Sequence, residues 1–334
     1  MNNERCLIIA EAGVNHNGQL DLALQLCDEA KKAGADVVKF QTWKTENLIT
    51  RNVAQAEYQT QNTGREESQF NMLKKLELSY DDFRIIKKHC DETGILFSST
   101  ADEPESLDFL LELGIPFIKV GSGDIGNISY LRYIGSKKKP VILSTGMSTL
   151  GDVELSINAL RDGGAEDITV LHCTTNYPCP YDNVNLKAML TLRDAFHLPV
   201  GYSDHTVGRD VAVGAVALGA VVVEKHFTLD TGMEGPDHAA STNPKDFSDL
   251  VNAVRTVEAC LGSGIKTPTS AEKRISEVVT KRIVAKRAIQ KGEIFSDDNI
   301  CVKRNDTGVL ARNWDFVVGT EAKRAYFIDE GICL

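Results

Sequence analysis

Two lysines stand inside apolar, β-branched runs of this chain, Lys39 in VVKFQ and Lys119 in FIKVGS. Burying an ammonium is costly unless it meets an anion. Two such lysines on separate runs, with Ser122, Ser144 and Ser203 at the ends of neighbouring runs, describe a cradle for phosphate or carboxylate. A pair of structural ion pairs would use the same residues, and a Schiff-base lysine would need only one of them and no metal. His205 and His226 end two further consecutive runs. Two imidazoles brought together suit a divalent cation with positions left open for water and substrate. Imidazole with oxygen ligands fits Mn2+, Zn2+ or Fe2+ more easily than Ca2+. The turn Gly235-Pro236-Asp237-His238 offers a carboxylate and one more imidazole, and HCTTNYPCPYDN, from His172, offers Tyr177 with two prolines. An ordinary surface turn would explain either segment as well.

These residues need elements that bring them to one place. Eight short apolar runs recur before residue 228: CLIIAE, DVVKFQT, ILFSST, PFIKVGS, PVILSTG, ITVLHCT, PVGYSD and AVVVEKHF. Most are apolar on successive residues, as strands covered on both faces are. Helical spacing separates them, as in Leu22, Leu26 and Ala30, and five helices are expected to end at Gly34, Gly94, Gly114, Gly164 and Gly219. Glycine suits the left-handed C-cap, so helix–glycine–strand is a physical punctuation mark. The pattern predicts an α/β fold, a (β/α)8 TIM barrel over 1–261 with its last helix near 244–261. Residues 262–281 read as a polar linker, and 282–334 as a small unit of short apolar runs that leans on something else. An open doubly wound sheet is the alternative. It is suggested by Gly121-Ser122-Gly123-Asp124-Ile125-Gly126, but the ribose-binding acid expected about 20 residues on is absent. The connection from Trp43 to about Ser79 is long enough for a lid or partner contact.

In a barrel the C-terminal ends of the strands converge. Here they carry Glu11, Lys39, Gln41, Thr100, Lys119, Ser122, Asp124, Ser144, Thr145, His172, Thr174, Thr175, Ser203, Asp204, His205, Glu224 and His226. The formal net charge of −10 argues against a nucleic-acid surface. It leaves room for an anionic substrate held by a few placed lysines. The eight cysteines include no CxxC pair and read as reduced thiols. With neither a signal-peptide pattern nor an apolar run of spanning length, the expected setting is cytoplasmic, away from a membrane.

The motifs GVNHNG (13–18), VVKFQT (37–42), KVGSGD (119–124), ILSTGM (142–147), LHCTTNYP (171–178), GYSDHT (201–206), EKHFTLD (224–230) and GPDH (235–238) closely resemble the N-acetylneuraminate synthase family. Close relatives in that family make legionaminic and pseudaminic acids. The tail AIQKGEIFSDDNICVKR (288–304) resembles the family's antifreeze-like, or SAF, β-clip domain. The resemblance implies an enzyme joining phosphoenolpyruvate to an N-acyl amino sugar with a divalent metal, Mn2+ foremost and Mg2+ or Co2+ as alternatives. It would place phosphoenolpyruvate on Lys39, Thr100, Lys119, Ser122, Ser144, Thr175 and Ser203, and the metal on His205 and His226. Glu11, Gln41 and Asp124 would be catalytic, and Tyr177, Asp237 and Arg304 would serve the sugar. Arg304 would reach the other subunit of a domain-swapped homodimer. N-Acetylmannosamine is the acceptor expected first and 2,4-diacetamido-2,4,6-trideoxymannose the second. A carbohydrate-binding protein without catalysis is the reading of another class. The chain departs from the family in four places, one of them Thr175, beside Asn176, where an asparagine is usual near the sixth strand. Ala101 and Asp102 follow Ser99-Thr100 where Pro-Phe is common, Asp124 replaces a common glutamate, and Asn305-Asp306-Thr307-Gly308 follows Arg304 where Pro-Gly-Asn-Gly is usual.

Overall fold

The computed structural model describes residues 5–54 and 68–334. The expected strands form a closed, all-parallel barrel in chain order: β1 Leu7–Gly13, β2 Val37–Thr42, β3 Leu96–Ala101, β4 Ile118–Val120, β5 Val141–Ser144, β6 Ile168–Cys173, β7 Val200–Asp204 and β8 Val222–His226. β1 closes the ring by pairing with both β2 and β8. The barrel helices are α1 Leu20–Lys32, α4 Tyr80–Thr93, α5 Pro104–Glu112, α6 Ile128–Ser136, α7 Leu150–Gly163, α8 Lys187–Phe196, α9 Asp210–Ala217 and α10 Pro244–Leu261. Two further helices, α2 Thr45–Leu48 and α3 Gln69–Leu76, lie in the long β2–α4 connection. α4 and α7 begin in capping boxes at Ser79 and Thr149 and end on left-handed Gly94 and Gly164. Gly34, Gly114 and Gly219 also have positive φ.

Side chains alternate along a strand, so each strand divides its residues between the barrel lumen and the helix layer. Ile9, Val37, Phe117, Ile142, Leu171 and Val222 form a separate apolar cluster that plugs the lumen. The opposite parity (Ile8, Val38, Ile118, Val141, Val170, Val223) belongs to the larger core shared with the helices. Two residues beyond each plug residue, on the same face, stand Glu11, Lys39, Lys119, Ser144, Cys173 and Glu224. The lumen thus turns from apolar to ionic within one layer.

The described part of the long connection includes a bridge between Ala54 and Ser68. There Trp43, Met72 and Leu76 pack with Val14 of the β1 loop. Residues 55–67 of the connection expected to serve as a lid or partner contact lie outside the described residues.

Residues 263–334 form a second compact unit. The stretch 262–281, expected as a polar linker, holds a helix. This is α11, Ser270–Val279, opened by a Thr269–Glu272 capping box. The Gly and Pro residues end before its cap, and the helix beyond is exposed throughout, carrying Ile275, Val278 and Val279 among polar residues. Strands β9, Lys281–Ala285, and β10, Ile300–Arg304, then pair antiparallel over a core that includes Ile283, Phe295, Ile300 and Tyr326. No helix among the described residues is long and apolar enough to cross a membrane.

Candidate functional site

A cavity of about 200 Å3 sits above the lumen plug at the C-terminal ends of the strands. Twelve of the residues singled out in the sequence line it: Glu11, Lys39, Gln41, Thr100, Lys119, Ser122, Ser144, Thr175, Tyr177, Ser203, His205 and His226. Its floor is a four-charge array. Lys39 Nζ lies 2.6 Å from Glu11 and 3.7 Å from Glu224, and Lys119 Nζ lies 3.4 Å from Glu224. All four side chains are almost fully buried. Lys39 also donates to Thr100 Oγ1 at 2.9 Å, Lys119 to Ser144 Oγ at 2.8 Å, and Ser203 Oγ to Glu224 at 3.1 Å. The lysines are therefore ion-paired and also at the cavity wall. Glu224 joins them, a residue given no role in the sequence reading. Its place on the inward parity of β8, two residues before His226, was the available signal.

The array is asymmetric. Glu224 is buried, yet it faces both Lys119 and Lys39, which hold its carboxyl down at about 2. Glu11 is pushed up to about 7 by burial; Lys39 opposes this and the Glu224 charge adds to it. The linkage signs differ accordingly. The raised Glu11 contributes stability that is fully present below pH 4.5 and lost as pH rises through about 7. The depressed Glu224 contributes stability present above pH 4.5 and lost as pH falls through about 2. Glu11→Gln is therefore expected to gain stability relative to the unsubstituted protein as pH rises from 5 to 7. Urea unfolding of the pair at several pH values checks this.

Ser122, Thr175 and Cys173 converge from β4 and β6 beside Gly146. A Cβ at Gly146 would lie 2.1 Å from Thr175 Oγ1 and 2.9 Å from Ser122 Oγ. Ser122 Oγ accepts the Gly146 N–H, while Thr175 Oγ1 is buried without a hydrogen-bond partner. An orphaned hydroxyl beside two lysines is what a bound anion would complete.

The two imidazoles meet as expected, with ring centroids 5.3 Å apart, and Tyr177 packs on His205 at 4.2 Å. His205 Nδ1 is 2.7 Å from the Thr174 carbonyl. That contact makes Nδ1 the donor and leaves Nε2 with its lone pair, the arrangement of a metal-binding histidine. Burial and His205 hold His226 well below its ordinary value, and its Nδ1 has no hydrogen-bond partner. Asp237 Oδ2 lies 3.7 Å from that nitrogen. Two imidazoles, one oriented and one orphaned, with a carboxylate nearby, fit a divalent cation of the nitrogen-and-oxygen kind. No group of three or more such side chains is already gathered among the described residues, so water or substrate oxygens would fill the other positions.

Other candidates fall elsewhere. His172 and Asp204 have the outward parity. His172 Nε2 bonds the Val184 carbonyl at 2.7 Å, and Asp204 pairs with Lys225 at 2.7 Å. His238 is buried, bonding Thr228 Oγ1 and Asn17, so it is not a second imidazole over the mouth. The sequence shows strand ends but not parity at an irregular end, so His172 and Asp204 read as lumen residues, and His238 as part of a turn over the mouth. Lys225 and Asp204 are a buried pair facing the helices. Lys225→Met is expected to cost about 3–5 kcal/mol by stranding Asp204, measurable by urea unfolding. Asp124 lies in the turn after β4, in a space adjoining the cavity. Arg304 ends β10 in the second unit, exposed. The loop after it lacks the usual proline but is held by Arg282, which donates to the carbonyls of Asn305 at 3.1 Å and Gly308 at 2.8 Å. All eight cysteines are unpaired, and Cys260, Cys301 and Cys333 are not buried.

Comparison with known proteins agrees with this architecture. Residues 26–266 match the NeuB family and residues 280–332 the SAF domain. The chain belongs to the NeuB family. Among NeuB relatives, the N,N'-diacetyllegionaminic acid synthase of Campylobacter jejuni is 46% identical, covering 98% of this chain and 98% of its own. The enzyme of that name from Legionella pneumophila is 45% identical over 94% of this chain and 90% of its own. A crystal structure of N-acetylneuraminic acid synthetase from Leptospira borgpetersenii, in complex with citrate, superposes with a TM-score of 0.73 at 33% identity, covering 82% of this chain and 90% of that one. The NeuB match ends and the SAF match begins on either side of α11.

Proposed function

We propose that this NeuB-family chain condenses phosphoenolpyruvate with an N-acyl amino sugar, and that the sugar is 2,4-diacetamido-2,4,6-trideoxymannose, giving N,N'-diacetyllegionaminic acid. The observation that carries the reaction class is the pair of buried lysines opening on one cavity beside two imidazoles. The acceptor rests on the two relatives named as legionaminic acid synthases, which reverses the order expected from sequence. N-Acetylmannosamine is the second reading.

Lys39 and Lys119 hold the phosphate and carboxylate of phosphoenolpyruvate, with Thr100, Ser122, Ser144, Thr175 and Ser203 donating to its oxygens. His205 and His226 hold the cation, Mn2+ before Mg2+ or Co2+, which when bound polarises the acceptor aldehyde. Tyr177, Gln41 and Asp237 orient the aldehyde end of the sugar. C3 of phosphoenolpyruvate attacks the aldehyde carbon, whose oxygen takes up a proton to become the C4 hydroxyl, and water adds to the cationic C2. Glu11 or Asp124 takes the proton of that water. The C2–O bond then breaks, and the lysines stabilise the departing phosphate. No imine to lysine is required. Arg304 of a domain-swapped homodimer contacts the N-acyl group.

A competition between the two sugars, with the product read by mass, tests the acceptor. The legionaminic product is expected in large excess. A predominant N-acetylneuraminate mass would give the site to N-acetylmannosamine.

A further inference from the structure

Beside the reaction cavity a second space, of about 650 Å3, opens between the ends of β3 and β4. The two share Asp102, Gly121 and Gly123. A Cβ at either glycine would meet nothing within 4 Å, so the passage between them is open. Most polar groups along the second space are already committed. Glu103 caps α5 through the N–H groups of Glu105 and Ser106. Tyr130 donates to the Ala101 carbonyl and Tyr133 to Asp108. Two carboxyls are not. Asp124 accepts one bond, from Asn127. Asp102 uses its backbone N–H on Thr42, and its carboxyl has no hydrogen bond among the described residues.

The charges around Asp102 come from every neighbouring strand end: Asp124 after β4, Lys39 on β2, Glu11 on β1 and Glu103 beside it. No lysine or arginine lines the second space among the described residues. Burial and then Asp124 push Asp102 up to about 7, and burial raises Asp124. Near neutral pH such a pair can offer both a donor and an acceptor. On the other flank of the cavity a space of about 720 Å3 also opens, where Thr175, Asn185 and Lys187 stand beside polar groups that serve the fold. Thr145, Ser148, His172, Thr174 and Thr191 bond backbone carbonyls, and Thr149 caps α7.

We propose that Asp102 is a specificity-determining residue of the acceptor site, which with Asp124 takes the hydroxyl and amide groups of an uncharged acylamino sugar and rejects an acceptor bearing a phosphate. Anionic groups belong on the lysine side of the cavity, and a second phosphate would meet like charge in a space that, among the described residues, no lysine or arginine lines. Such repulsion separates partners more sharply than an added attraction does. The inference rests on the acceptor class proposed above.

The test uses full-length protein with phosphoenolpyruvate and Mn2+. Its acceptors are the two uncharged sugars, and its anionic probe is N-acetylmannosamine 6-phosphate. The unsubstituted enzyme is expected to turn over an uncharged sugar and neither use nor be inhibited by the 6-phosphate. Asp102→Asn is expected to raise the acceptor KM about tenfold, the loss of one charge-assisted hydrogen bond, while moving the phosphoenolpyruvate KM far less. It should also admit the 6-phosphate as substrate or inhibitor, and Asp102→Glu should restore both properties in part. Three results would overturn the proposal: an unaltered acceptor KM and selectivity in Asp102→Asn, equal losses for both substrates without rescue by Asp102→Glu, or use of the 6-phosphate by the unsubstituted enzyme. If the unsubstituted enzyme turned over no uncharged sugar, the acceptor assignment itself would fail, a result visible before any variant is made.

Discussion

Replacing Lys119 by methionine is expected to lower kcat/KM for phosphoenolpyruvate by about 10²–10³-fold or more, the scale for removing one preorganised electrostatic contact to a developing anion. Lys119 donates to Ser144 and lies 3.4 Å from Glu224. Its loss removes charge from the phosphate side and leaves Glu224 with Lys39 as its remaining close cation. The variant is also expected to bind phosphoenolpyruvate weakly, by calorimetry without acceptor. If both lysines served only as internal ion pairs, substitution would destabilise the fold while leaving phosphoenolpyruvate affinity per folded molecule unchanged. A Schiff base on lysine would be trapped by borohydride in the presence of phosphoenolpyruvate or product, and no such adduct is expected.

The second large effect is at the imidazole pair. His205→Ala is expected to abolish turnover and to remove the rise in Tm that Mn2+ gives the unsubstituted protein. A ligand that binds only the folded state stabilises it by mass action, about 2.7 kcal/mol at 100 times its Kd. Because Thr174 already orients His205, the alanine variant loses a ligand without disturbing the β7 pairing. Full activity after exhaustive chelation, or an unaltered Mn2+ shift in His205→Ala, would count against the metal assignment.

Much of this architecture was legible because barrel strands announce themselves. β1 to β8 are short apolar runs, and glycine follows five of the helices at positive φ. The apolar plug and the charged layer above it follow from strand parity, as in Ile9 before Glu11 and Val222 before Glu224. Parity was harder to assign where a strand ends. His172 and Asp204 look like mouth residues in one dimension and belong to the helix side in three. The role of Glu224 was hidden for another reason. A carboxylate serving two lysines from different strands is a three-body arrangement; the parity of β8 marks the face of Glu224 but not its partners. Asp102 stood out only as a departure from Pro-Phe, and its significance comes from the open space beside it. Helix α11 was masked by the Gly, Pro, Ser and Thr residues before its cap and by its many polar residues, although Ile275, Val278 and Val279 keep helical spacing.

The most direct measurement is inorganic phosphate release from phosphoenolpyruvate labelled with 18O at the bridging oxygen, with Mn2+ and 2,4-diacetamido-2,4,6-trideoxymannose. The account predicts acceptor-dependent release, one phosphate per nine-carbon keto acid formed, with the label leaving in the phosphate. Absence of acceptor-dependent release, or label retained in the product, would contradict it.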